Sequence, residues 1–121
     1  MGGKNILVIA DTFFMRMVLG EILVKNGFTV CGEGQDGFEA IKKYREFKPD
    51  LLIMDIVMRN MDGITALRKI KNEFPQAKII MSTGIGQETY AVNAMESGAD
   101  GLIMQPFQSD RIISTVAKVL K

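Results

Sequence analysis

The chain has 121 residues, 47% of them hydrophobic and 24% charged, which suits one folded domain and excludes wholesale disorder. Fifteen Lys and Arg against fourteen Asp and Glu leave a formal charge of +1, so no strong field draws it to nucleic acid or anionic lipid. One cysteine and no histidine exclude an internal disulfide, a zinc knuckle, a histidine-based triad and haem ligation.

In chain order, short apolar runs alternate with stretches of helical spacing. Runs at 6–10, 28–31, 51–54, 79–81 and 102–104 predict five strands, and 13–26, 36–47, 63–74, 87–97 and 109–120 predict the helices between and after them. Most of the runs are continuous rather than alternating, as in parallel strands covered on both faces. The punctuation agrees. Gly27 and Gly98 stand at helix C-termini, Pro49 and Pro75 follow helices closely, Asp36 with Glu39 forms a capping box, and Ser109 is placed to cap the last helix. Five strand–helix units joined by short links predict a single α/β domain over 1–121, a doubly wound parallel sheet between two helical layers. No apolar stretch approaches the roughly 20 residues of a membrane helix, and no basic leader with a long apolar core opens the chain. A cytoplasmic location is expected.

In open parallel sheets, ligands gather beyond the carboxyl ends of the strands, so the residues closing each run carry the chemistry. They are Ala10-Asp11-Thr12, Asp55-Ile56-Val57, Ser82-Thr83-Gly84 and Gln105-Pro106-Phe107. Two carboxylates, hydroxyls and an amide, with neither thiol nor imidazole, suit a hard cation such as Mg²⁺. Asp11 is equally placed to cap the first helix. Asp55 has no helix start nearby to cap, and a carboxylate ending a buried strand is costly unless a cation compensates. Thr83, Ser82 or Gln87 can cap the fourth helix; alternatively the Thr83 hydroxyl can meet a phosphoryl oxygen, with Gly84 allowing close backbone approach. Gln105 is either a turn amide or a group aimed over the rim by Pro106. Of Phe13 and Phe14, one is expected to face the core and one the surface. Cys31 is expected as a small buried hydrophobe ending a strand, and most of the nine Met as core.

Taken together, Asp11, Asp55, Thr83-Gly84 and a residue directly before Pro106-Phe107 resemble the receiver domain of two-component response regulators, along the whole chain. Phe14-Met15-Arg16-Met17-Val18-Leu19, Lys48-Pro49-Asp50 and Met61-Asp62-Gly63 look most like the stand-alone receivers of chemotaxis. The resemblance implies a flavodoxin-like (βα)5 fold, a three-layer sandwich with strand order 2-1-3-4-5. It implies that Asp55 is the phosphoacceptor and that Asp11, Asp55 and the Val57 carbonyl hold Mg²⁺. Thr83 and Gly84 would bind the phosphoryl group. It implies a sensor histidine kinase of the CheA kind as donor, and a protein target such as a flagellar motor switch or a phosphatase, with neither nucleic acid nor membrane as partner. Tyr90 and Leu102 lie on the face that resembles the receiver output surface. Such a protein is a phosphoacceptor with at most slow self-dephosphorylation, not an enzyme.

Four positions depart from the family pattern. Ala10 replaces the first of two acids, Gln105 replaces a lysine, Leu102 stands at a position often aromatic, and Arg59 replaces a common proline. A lysine about 4 Å from a phosphoryl group at an effective dielectric near 20 is worth roughly 4 kcal/mol before desolvation, and glutamine supplies no charge. The alternative is therefore a degenerate pseudo-receiver, a binding module that works without phosphorylation. A flavodoxin-type cofactor binder fits the sheet but not the first turn, where Asp11-Thr12-Phe13-Phe14 is acidic and bulky.

Overall fold

A computed structural model describes residues 3–121. Its elements are β1 (Asn5–Ile9), α1 (Phe13–Lys25), β2 (Thr29–Gly34), α2 (Gly37–Phe47), β3 (Leu51–Asp55), α3 (Gly63–Glu73), β4 (Ile79–Thr83), α4 (Glu88–Glu96), β5 (Gly101–Met104) and α5 (Ser109–Leu120). The strands form one parallel sheet in the order β2-β1-β3-β4-β5, the flavodoxin-like (βα)5 arrangement expected from the resemblance.

The apolar runs are continuous because the central strands are covered twice. Every residue of β3 and β4 is buried, and so is β1 from Ile6 onward. Alternate side chains feed two separate cores. One joins Leu7, Ile9, Leu52, Met54, Ile79 and Met81 to Ala40, Tyr44, Leu67, Ile70 and Ala94 from α2, α3 and α4. The other joins Ile6, Val8, Leu51, Ile53, Ile80 and Ile103 to Leu19, Leu23, Ile112 and Val116 from α1 and α5.

Caps fix where the helices begin. The Asp36 carboxylate accepts from Glu39 N at 2.9 Å, the forward half of a capping box, while Glu39 Oε1 reaches past the N-cap and accepts from Gln35 N at 2.7 Å. Asp62 caps α3, accepting from Thr65 N at 2.8 Å. Gly27 and Gly98 take positive φ just past α1 and α4. Ser109 is not the cap of α5: Gln108 holds that position without a side-chain cap bond, and Ser109 opens the helix proper.

Three further expectations change. Phe13 and Phe14 are both exposed, because α1 turns its buried stripe through Leu19 and Leu23. Cys31 is half-buried and lies inside β2, which runs on to Gly34 at the sheet edge. Of the methionines, Met54, Met58 and Met81 are buried, whereas Met17, Met95 and Met104 are exposed.

Gly63 sets the height of the β3 rim. Its N–H donates to Ile56 O at 2.7 Å, and a Cβ there would drive into the backbone carbonyl oxygen of Asp55. Gly20, in the middle of α1, has open space where a Cβ would go. Gly63→Ala is therefore expected to destabilise the chain by about 2 kcal/mol or more through overpacking, while Gly20→Ala stabilises it by up to about 1 kcal/mol through helix propensity. Urea unfolding of both variants checks the opposite signs.

Candidate functional site

The sheet order reverses about β1 and β3, which places their carboxyl ends side by side. Ala10 follows β1 and ties to β2 through its N–H to Gly34 O at 3.1 Å. Asp11 comes next, half-buried. Thr12 is the N-cap of α1, its Oγ1 accepting from Met15 N at 3.2 Å, so the capping role falls to Thr12 and not to Asp11.

Asp55 ends β3 and pairs in register with Ser82 of β4. It is only 7% exposed, and its carboxyl is pushed up to about 6. Burial is the main cause, since it penalises the charged form, and the Asp11 carboxylate adds to it by repulsion. The backbone N–H groups of Ile56 and Val57 oppose both. Two oxygen ligands that repel one another beside a buried strand end are a donor set suited to a hard divalent cation, as a further Asp or Glu would be. Ala10 withholds that further carboxylate. Among the described residues no group of three or more Asp, Glu, His or Cys side chains is arranged to hold a metal ion.

The next strand brings hydroxyls. Ser82 and Thr83 are each 1% exposed. By strand alternation Ser82 shares the α1–α5 face with Asp55, and its Oγ has no hydrogen-bond partner among the described residues. The Thr83 hydroxyl and the Gly84 N–H both turn to Gln87. Gly84 N donates to Gln87 Oε1 at 2.7 Å, and Thr83 Oγ1 lies 3.3 Å from the same oxygen. Gln87 stands at the N-cap of α4 yet makes no side-chain cap bond to that helix. The sequence marks Ser82 as a rim hydroxyl or a cap and Gln87 only as a possible cap; a polar residue four places after a rim hydroxyl, before a helix, is the signal that marks Gln87.

Gln105 is half-buried beyond β5, its N–H donating to Thr83 O at 2.9 Å, and Pro106 follows it. Leu102 packs against the α2–α3–α4 core and not against the rim. Val57 is exposed on the loop after β3, as is Arg59. Arg16 was visible only as part of a motif. Its guanidinium donates to Ala10 O at 2.6 Å and to Glu33 Oε1 at 3.2 Å, so it braces the backbone behind the missing acid. Asp11, Asp55, Thr83, Gly84 and Gln105 are thus collected along one rim, with Ala10 beside them and Leu102 beneath.

A parallel five-stranded sheet with an acid just beyond β1, another ending β3 and a hydroxyl ending β4 defines a response regulator receiver domain. The family model for that domain matches residues 6–117, and the chain belongs to this family. It is 48% identical over 116 residues to the chemotaxis protein CheY of Bacillus subtilis, covering 96% of this chain and 97% of that one. It is 43% identical over 119 residues to CheY of Thermotoga maritima, covering 98% and 99%. Among solved structures, CheY in a CheX–CheY complex with BeF3 and Mg²⁺ from Borrelia burgdorferi superposes with a TM-score of 0.92 at 30% identity, covering 98% and 90%. The response regulator domain of Thermotoga maritima CheB gives 0.88 at 32%, covering 98% and 96%. The chain is a receiver domain closely related to CheY, and receivers of this kind are signalling proteins. No helix among the described residues is long and apolar enough to cross a membrane.

The raised Asp55 carboxyl makes a pH prediction for the metal-free protein. Its folded pKa of about 6 exceeds the unfolded 3.8, so the folded state holds more protons between those values and stability falls as pH rises through them. In chelator, Asp55→Asn is expected to be more stable than wild type at pH 7 by on the order of 2 kcal/mol, and the gap should close below pH ~4. Urea titrations across that range check the slope.

Proposed function

We propose that the chain is a stand-alone response regulator, a single receiver domain over 1–121, that takes a phosphoryl group on Asp55 from the phosphohistidine of a sensor histidine kinase. The observation that carries this reading is the buried Asp55 carboxylate at the end of β3, beside Asp11 and one strand from Thr83. An Asp55 carboxylate oxygen attacks phosphorus in line; the P–O bond forms as the P–N bond breaks, and the imidazole leaves with the bonding pair and is protonated.

Asp11, Asp55 and the Val57 carbonyl are the residues that would hold Mg²⁺. When bound, it neutralises the repulsion between an anionic nucleophile and an anionic phosphoryl group. Thr83 and Gly84 donate to the phosphoryl oxygens from the β4 side, and Gln105 offers an amide where the family has an ammonium. Downstream, the exposed Tyr90, Val92 and Met95 of α4 and Met104 of β5 form the surface for a protein target, a flagellar switch or a phosphatase in a chemotaxis circuit. The relationship to CheY proteins supports that circuit, and a CheA-like kinase as donor.

Ala10 and Gln105 favour a second reading, a pseudo-receiver that binds its partner without phosphorylation. Acetyl phosphate with Mg²⁺, followed by intact mass, separates the two. The phosphoacceptor reading expects one adduct in wild type and none in Asp55→Ala. It also expects the doubly restored Ala10→Asp/Gln105→Lys chain to be phosphorylated at least about tenfold faster, since a returned cation and ligand are worth more than 1.4 kcal/mol. A wild-type chain that stays unmodified, with Asp55→Ala binding its partner normally, selects the pseudo-receiver.

A further inference from the structure

A helix start normally turns a side-chain acceptor forward onto its own first-turn N–H groups. α4 does not. Gln87 holds the N-cap position, but its Oε1 reaches back to Gly84 N at 2.7 Å and toward Thr83 Oγ1 at 3.3 Å. The Gln87 backbone oxygen is also 3.4 Å from Thr83 Oγ1 and accepts the helical bond of Ala91 N at 3.0 Å. One residue therefore joins the Thr83–Gly84 donors to the first turn of α4.

We propose that Gln87 is a positioning residue whose Oε1 occupies, before phosphorylation, the Thr83 and Gly84 donors that the phosphoryl oxygens take afterwards. The inference rests on Asp55 being the phosphoacceptor. A backbone N–H carries one proton and the Thr83 hydroxyl carries one, so Gln87 and a phosphoryl group compete for the same two hydrogen bonds. The competition keeps the donors aligned and desolvated while the site waits, since Thr83 is buried and an unpaired donor there would be costly. It also sets a threshold, because a phosphoryl oxygen must displace an existing acceptor. Displacement releases the Gln87 side chain from the rim, and with it the tie between Thr83 and the start of α4.

Beryllofluoride with Mg²⁺, titrated calorimetrically into wild type, Gln87→Ala and Gln87→Glu, tests this. Removing the competing acceptor should make Gln87→Ala bind the probe about fivefold more tightly. Gln87→Glu keeps an acceptor in place, strengthens it and adds a negative charge beside the probe, so it should bind at least about fivefold more weakly. A residue that merely supports the loop would weaken binding in both variants. Opposite shifts carry the proposal, and any other pattern in a chain that binds the probe overturns it while leaving Asp55 as the acceptor. If none of the three binds the probe and acetyl phosphate leaves Asp55 unmodified, the phosphoacceptor reading falls and the competition falls with it.

Discussion

The energetic constraint on which this rim depends is the placing of a carboxylate at the end of a strand buried on both faces. Asp55 continues Leu51-Leu52-Ile53-Met54, all fully buried, and inherits their lack of water. Burial and the neighbouring Asp11 both oppose its ionisation, and the backbone N–H groups of Ile56 and Val57 favour it. Such a site holds its charge reluctantly, and that reluctance distinguishes it from the exposed acids of the surface. The same burial fixes the carboxylate in place. Gly63 closes over the Asp55 carbonyl so tightly that no side chain fits between them, and the α3 cap at Asp62 holds that closure.

The departures from the family pattern are best understood as changes in charge distribution. Ala10 removes one negative charge from the rim and Gln105 removes one positive charge, so the formal sum is that of the usual site. The distribution is not. With no lysine at position 105, the groups collected at this end of the rim are neutral donors: the Thr83 hydroxyl, the Gly84 backbone N–H and the Gln105 amide. Neutral donors are individually weaker than an ammonium but are directional, so their alignment matters more to the outcome. Arg16 does not restore the lost cation, because Ala10 O and Glu33 already engage its guanidinium.

Much of this was legible from residues alone, for identifiable reasons. Parallel strands buried on both faces read as unbroken apolar runs, so β1, β3 and β4 were found at the right places, along with Asp11 and Asp55 at their ends. The cap of α2 by Asp36 onto Glu39 N was legible because it is a local interaction. What stayed hidden depended on side-chain direction. Thr12 and Asp11 are both capable caps, and only the bond from Met15 N to Thr12 shows which one serves. Ser109 fits a cap by type, yet α5 starts one residue sooner. Phe13 and Phe14 face out together because the packing of α1 on the sheet, not their own hydrophobicity, decides which stripe is covered. Gln87 carries no motif of its own; its importance comes from a back-turned bond that helix propensity does not predict.

The placement of Gln87 also explains why α4 is the element suited to carry a change outward. It is the shortest helix among the described residues, contributes a single buried residue, Ala94, and lacks a side-chain N-cap. Few buried contacts and an uncapped start are the marks of a segment whose local opening free energy is small. By contrast α1 and α5 are anchored through two buried positions each, and α3 through five. On α4 the apolar side chains Tyr90, Val92 and Met95 face solvent. The helix with the fewest buried residues is thus the one tied through Gln87 to the rim hydroxyl, and under the proposed competition at Thr83 and Gly84 it is the element through which a change at the rim would pass to those exposed side chains.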